Sequence, residues 1–307
     1  MRIVLAGATG YIGRPLVTAL RDAGHELVVL TRRPAEASEL VPGVELVEWD
    51  GRTAGGAWAS TLEGAGAVVN LSGANIGARR WTAGRKRELL ESRLQPVGAL
   101  TEAIEALPAG GRPGVLVNAS GVDYYGDRGD EAVTEESPPG DSFLARVCVD
   151  WEEAARKAEP LGLRVVTVRT GVVIGRGAEV VKRLALPFKL FVGGPIGGGD
   201  QWLAWIHLED VVGVYRLAVE RDDVTGPVNA VAPDGRRMRD VARVLGRILG
   251  RPSWAPVPAF VLRPVLGEQA ELVLHGRRAV PQKLVGLGYA FRYPELPGAL
   301  AEALGKA

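Results

Sequence analysis

At 307 residues, 47% of them hydrophobic, the chain is long enough for one large domain or for a nucleotide domain with a smaller substrate lobe, and its composition excludes a disordered protein. Its 37 basic side chains nearly cancel its 36 acidic ones, so no global field draws it to nucleic acid or to an anionic membrane, and a small-molecule ligand is the default partner. One cysteine, Cys148, excludes an intramolecular disulfide and any multi-cysteine metal centre; a reducing cytoplasm fits best, and no metal site is expected.

The N-terminus runs straight into MRIVLAGATG, without an export signal's apolar core and cleavage site, so a soluble cytoplasmic protein is expected. The longest apolar runs are broken by Arg, Gly or Pro well short of the roughly 18 residues of a membrane-spanning helix. Short β-branched runs recur at 3–6, 26–30, 44–49, 67–71, 115–118 and 164–168, and amphipathic stretches separate them. Three of those stretches end on clear stop signals: 11–23 at Gly24, 83–107 before Pro108, and 143–159 before Pro160. The alternation predicts an α/β fold, a Rossmann-type doubly wound parallel sheet of six strands with helices on both faces. Beyond Val173 the texture changes, with Gly193, Gly194, Pro195, Gly197, Gly198 and Gly199 set among aromatics before helical spacing returns at 208–220 and 239–249. Short helices are expected at 260–266, 282–287 and 296–304. The division that follows is a nucleotide-binding core over 1–175, a smaller interleaved C-terminal lobe for substrate with returning core elements over 176–254, and a small helical domain over 255–307.

Between the first strand and the first helix lies Gly7-Ala8-Thr9-Gly10-Tyr11-Ile12-Gly13. Its glycines let the backbone turn tightly and approach a pyrophosphate, whose charge the free N–H groups and dipole of the following helix favour. The second strand ends in Thr31-Arg32-Arg33, where an NAD site would carry an acid for the ribose 2′-hydroxyl. Two arginines offer charge-assisted bonds to a 2′-phosphate instead, so the sequence favours NADP(H).

The segments GATGYIG, NLSGANI, RRW, ESR, YYGDRGDE, SPPGD, WEEAAR, RTGVVIGRG, FKLFVGGPIGGGDQWLAWIHLEDVV and GPVNAVAP, in this order, resemble atypical members of the extended short-chain dehydrogenase/reductase superfamily, the epimerase-like proteins. The resemblance spans essentially the whole chain and includes a C-terminal domain of unassigned function. It implies that Leu71, Ser72 and Gly73 border the adenosine and ribose, that Asp50 lies near the adenine, that Glu88 and Arg93 face the cofactor, and that Val173 sits near the nicotinamide.

Catalytic members of that superfamily use a tyrosine as acid/base and a lysine four residues later. None of the six tyrosines here is followed by lysine at that spacing; the helix that should carry the pair offers Leu144 and Cys148 instead. Ser120, at the end of the fifth strand, and the following Tyr124 and Tyr125 are the candidate catalytic residues that survive. Cys148 reads as a buried structural thiol and His207, in WIHLED, as a structural histidine. The glycine-rich stretch from Gly193 to Trp205 is open to two readings, a substrate-covering loop or plain turn geometry. Two functions stay open: an NADP(H)-dependent oxidoreductase or epimerase acting on an unknown small hydroxylated or carbonyl substrate, and a non-catalytic NADP(H)-responsive binding protein. A nucleic-acid module is disfavoured by the charge balance. A homo-oligomer is left open.

Overall fold

A computed structural model describes residues 1–306. Seven parallel strands form its central sheet: β1 (Arg2–Ala6), β2 (Glu26–Thr31), β3 (Glu45–Glu48), β4 (Ala67–Asn70), β5 (Val115–Gly121), β6 (Arg164–Thr170) and β7 (Gly226–Ala230). Their order is β7-β6-β5-β4-β1-β2-β3, with Leu5 beside Val29 on one side and Val69 on the other. Sequence order reverses between β1 and β4, and such a switch point opens a crevice at the carboxyl ends of the strands. The inner strands β1, β2 and β4 are rich in Val, Ile and Leu because both faces are covered. In β4 all four residues are buried.

The helices of the body are α1 (Gly13–Asp22), α2 (Pro34–Leu40), α3 (Ala83–Glu105), α4 (Phe143–Arg156), α5 (Glu179–Lys189), α6 (Leu208–Glu220) and α7 (Met238–Leu249). Crossovers from β1 to β2 and from β4 to β5 run in opposite directions across the sheet, so right-handedness puts α1 and α3 on opposite faces. There α1 packs on α6, and α3 packs on α4. Local signals start two of these helices: the Thr82 side chain accepts from the Arg85 amide at 3.2 Å, and Ser142 accepts from Ala145 at 3.1 Å. Among the described residues, no helix is long and apolar enough to cross a membrane.

A second apolar cluster, built on Ile174, Val181, Phe188, Trp205, Val241 and Leu300, joins α5 and α7 to the tail. The tail carries α8 (Ala259–Leu266), α9 (Glu271–Leu274), α10 (Gln282–Gly286) and α11 (Leu296–Ala303). It threads through the body rather than standing beside it. Arg278–Ala279 pairs in parallel with Ala132–Val133. One Glu135 carboxylate oxygen accepts from the amides of Asn229, at 3.1 Å, and Lys283, at 3.2 Å. Asp210, 1% exposed, accepts from the amides of Arg292 and Tyr293 at 2.7 and 3.0 Å.

The sheet has one strand more than the six expected. β7 is GPVNA, whose glycine, proline and asparagine mask a strand; the edge position, paired to β6 alone, tolerates the proline. The short α2 and the proline-containing α5 are likewise additions.

Candidate functional site

The glycine loop is shaped by two close approaches and one open space. Gly7 has φ +77°, and a Cβ there would lie 2.6 Å from the Leu71 carbonyl carbon, so only glycine lets the turn cross the end of β4. At Gly13 a Cβ would meet the Ala8 carbonyl oxygen at 2.5 Å, so its absence seats α1 against the loop. Gly10 is exposed, and a Cβ there would meet only the Gly7 carbonyl oxygen, at 3.3 Å. The space it leaves faces the crevice. No side chain caps α1 at Ile12, and the amides of Tyr11 and Ile12 donate to no acceptor among the described residues. Those donors suit an anion. Tyr11 itself turns away: its hydroxyl donates to the Arg176 carbonyl at 3.1 Å, tying the loop to the segment after Val173, and burial pushes its pKa up to about 12.

Beside the loop lies a cleft of about 500 Å³, walled by Gly7, Thr9 and Gly10, by Thr31, Arg32 and Arg33 at the end of β2, by Asp50 after β3, by Leu71, Ser72 and Gly73 after β4, and by Glu88 on α3. Eleven of the sixteen cofactor residues expected from sequence therefore meet in one cavity; Tyr11, Ile12, Gly13, Arg93 and Val173 stand outside its wall. The two arginines separate in role. Arg33 pairs with Glu36 at 3.0 Å on the surface, whereas Arg32 has no ion-pair or hydrogen-bond partner among the described residues. Arg52, in the turn after β3 and not among the residues expected from sequence, adds a third cation to the wall beside Arg32 and Arg33. Asp50 spends its carboxylate on that turn, accepting from the Arg52 and Thr53 amides at 2.8 and 2.9 Å; these bonds hold its pKa below the usual carboxylate value. Its main chain, rather than its charge, is what it offers a ligand. The turn after β4 is set by two buried asparagines that sequence reasoning also missed: Asn70 accepts from the Ser72 amide at 3.1 Å and donates to Asn118 at 2.7 Å.

Glu88 and Arg93 do not act as a pair. Glu88 binds Arg85 at 2.8 Å and Arg79 at 3.0 Å, with Arg85 holding its pKa down. Arg93 donates to the carbonyls of Leu89 and Ala74 at 2.9 and 3.3 Å and lies 5.1 Å from the Trp151 ring on α4. Burial lowers its pKa, and no carboxylate reaches ion-pair distance. Val173 is half-buried, paired with Ile206 in a two-stranded ribbon.

The expected catalytic hydroxyls are mostly committed elsewhere. Ser120 donates to Glu152 at 2.7 Å; Glu152 holds Arg169 through both oxygens at 2.8 Å; and Arg169 donates to the Tyr125 hydroxyl at 2.9 Å. Tyr125 in turn donates to Asn229 at 2.6 Å. All five side chains are buried, and desolvation pushes Tyr125 up to about 12. This network joins β5, β6, β7 and α4 and engages the hydroxyls of both Ser120 and Tyr125. Only Tyr124 keeps a hydroxyl without a partner among the described residues, its half-exposed ring lying 3.5 Å from the Arg169 guanidinium. The signal for Arg169 was a charge near the end of the largely apolar strand RVVTVRT, since a buried charge requires a mate; Glu152, between Asp150 and Glu153, carried no such mark.

Leu144 and Cys148 stand on α4 as counted. Leu144 packs with Trp81 and Leu89, and burial pushes the Cys148 thiol up to about 12, so it is no thiolate nucleophile. His207 is structural: 1% exposed, it accepts from the Glu209 amide to cap α6, meets Glu302 of α11 at 3.0 Å and stacks on Tyr293.

The NAD dependent epimerase/dehydratase family matches residues 3–231, and a domain of unknown function, DUF1731, matches residues 257–303. The epimerase family protein SDR39U1 of Homo sapiens is 38% identical over 306 residues, covering 98% of this chain and 99% of its own length. Its chloroplastic homolog from Arabidopsis thaliana is 38% identical over 305 residues, covering 98% of this chain and 86% of its own. The crystal structure of human SDR39U1 (isoform2) with NADPH superimposes with a TM-score of 0.87 at 35% identity, covering 100% of both chains. A nucleoside-diphosphate sugar epimerase from Corynebacterium glutamicum gives a TM-score of 0.76 at 33% identity, over 99% of this chain and 58% of that one. With a family match over residues 3–231 and full-length relatives at this identity, the chain belongs to the NAD dependent epimerase/dehydratase family.

Proposed function

We propose that the protein binds NADP(H) in the cleft beside the glycine loop and presents its nicotinamide, at the carboxyl end of β5, to a small carbonyl or hydroxyl compound. The observation that carries the cofactor choice is Arg32: a guanidinium with no partner among the described residues, in the cleft wall at the end of β2, with Arg52 beside it and no acid in the position that would repel a 2′-phosphate. Gly7 and Gly10 give a pyrophosphate room, the uncapped start of α1 gives it donors, and the turn Leu71–Gly73 borders the ribose. The NADPH-bound relative supports the reading. Arg32→Ala is expected to weaken NADPH by about 10- to 100-fold and NADH by no more than about twofold, a charge-assisted hydrogen bond being worth roughly 1.5–3 kcal/mol. Equal losses on the two cofactors, measured by fluorescence titration, would sink the assignment.

When bound, NADP(H) supplies or accepts a hydride, and the chain must then supply or take up a proton. Tyr124 is the hydroxyl free to do so, since Ser120 and Tyr125 are held in the buried network. Tyr124→Phe is expected to lower turnover of a carbonyl substrate by about 100-fold or more, in the range of a lost general acid, with NADPH affinity intact. The second reading, a cofactor-responsive binding protein without turnover, draws its support from that same network and from Leu144 and Cys148 standing where the tyrosine and lysine would be. Steady NADPH oxidation by any defined carbonyl compound eliminates it.

A further inference from the structure

Next to the carboxyl end of β5, and outside the cofactor cleft, Arg277 faces one carboxylate and a second arginine, Arg93, lies within electrostatic reach of it. Asp123 lies in the short turn Val122–Tyr125 that follows β5. Arg277, brought in by the tail, donates to Asp123 through a single terminal nitrogen, Nη1. The pair is largely hidden, with 12% of the Arg277 side chain and 23% of the Asp123 side chain exposed. Yet the Arg277 Nε is buried without a partner, and its Nη2 has none among the described residues. Arg93 comes close enough to Asp123 and to Cys148 to feel both groups, and among the described residues no carboxylate stands at ion-pair distance from it. Beside Asp123 lies the bare backbone of Gly121, where a Cβ would stand 3.5 Å from an Asp123 carboxylate oxygen and 3.6 Å from the Cys148 sulfur.

A guanidinium whose Nε is buried without an acceptor is costly, and a fold seeking only a clamp would use the fork fully. Arg169 shows how this chain builds such a clamp: Nε and Nη2 each bind one oxygen of Glu152 at 2.8 Å. Arg277 is instead left with donors to spare beside the strand end that carries Ser120. Arg277 and Arg93 against the single carboxylate of Asp123 leave a local excess of positive charge, which favours one further anionic group.

We propose that Arg277, with Arg93 adding positive charge nearby, holds the carboxylate or phosphate group of the substrate, and that Asp123 competes for Arg277 in the free protein. This rests on the reading above in one respect, that the molecule so held is the one that meets the nicotinamide. The C-terminal domain then supplies the residue that recognises the substrate's charge, which is why the tail threads into the body beside β5.

The test is calorimetric titration of the full chain with inorganic phosphate, with pyruvate and with uncharged pyruvamide, at constant ionic strength, with and without saturating NADPH. At least one of the two anions is expected to bind and pyruvamide is not. The anion preferred separates a phosphorylated from a carboxylic substrate. Arg277→Gln is expected to weaken that binding by about tenfold or more, and Asp123→Asn to tighten it severalfold by removing the internal competitor, with NADPH affinity unchanged in both. Binding of neither anion by the wild-type chain overturns the proposal, as does unchanged binding in a natively folded Arg277→Gln protein. Should that variant not fold, Asp123→Asn decides, and no gain in affinity overturns it. Failure of the wild-type chain to bind NADPH would count against the cofactor reading alone, because the titration without NADPH still judges the anion pocket.

Discussion

The buried run from Ser120 through Glu152, Arg169 and Tyr125 to Asn229 shows how one side chain's chemistry depends on what its neighbours need. A serine and a tyrosine at a strand end look like reagents in the sequence; in the fold, each is spent on satisfying a charge that would otherwise be stranded. Removing one partner of such a pair costs about 3–5 kcal/mol, because the survivor is left buried and alone. Glu152→Ala should therefore lower unfolding free energy by that amount in urea titration. The double variant Glu152→Leu with Arg169→Met should recover much of it, although Ser120 and Tyr125 then lose partners as well. Equal destabilisation by the single and double variants would show that the charges are not the cause. Cys148, with its pKa pushed up to about 12, should resist thiol reagents for as long as the fold holds.

Among the elements, the glycine loop carries the sharpest prediction. Gly7→Ala places a methyl 2.6 Å from the Leu71 carbonyl carbon in a backbone with φ +77°, so both strain and collision oppose it. The turn after β4 must shift, and the variant is expected to lose roughly 1–3 kcal/mol of stability and most of its NADPH binding, read by thermal unfolding and fluorescence titration. This loop, β1 to β6 and the long helices were legible because each follows a local rule: a period, a cap or a glycine that a turn requires. α6 was placed without error over Leu208–Glu220. β7 was hidden because an edge strand tolerates the proline and asparagine that argue against a strand elsewhere. Arg52 was hidden because a basic residue in a tight turn has no periodicity to mark it. The committed state of Ser120 and Tyr125 was not readable at all, since Glu152 and Asn229 reach them from 32 and 104 residues away.

For the molecule as a whole, the C-terminal domain is the question, and its hydrogen bonds answer part of it. Asp210, Glu135, Asn229 and His207 each satisfy a polar atom with a partner beyond residue 275. Deleting 257–307 would strip all four at once and uncover Trp205 and the apolar cluster around it. The truncated chain is expected to lose cooperative thermal unfolding, as followed by circular dichroism. A sharp transition within a few degrees of the full chain's would show that the tail is an independent module. The same threading makes folding a problem of loop closure. Glu135 waits for amides 94 and 148 residues further along, and pairings so distant in sequence are slow to find. The first five strands can gather from neighbouring segments, but until β7 and α10 arrive this carboxylate stays hydrated and holds the centre of the molecule open. The rate of reaching the native state should therefore be governed by this one closure, and conservative changes at Glu135 should slow refolding more than they speed unfolding.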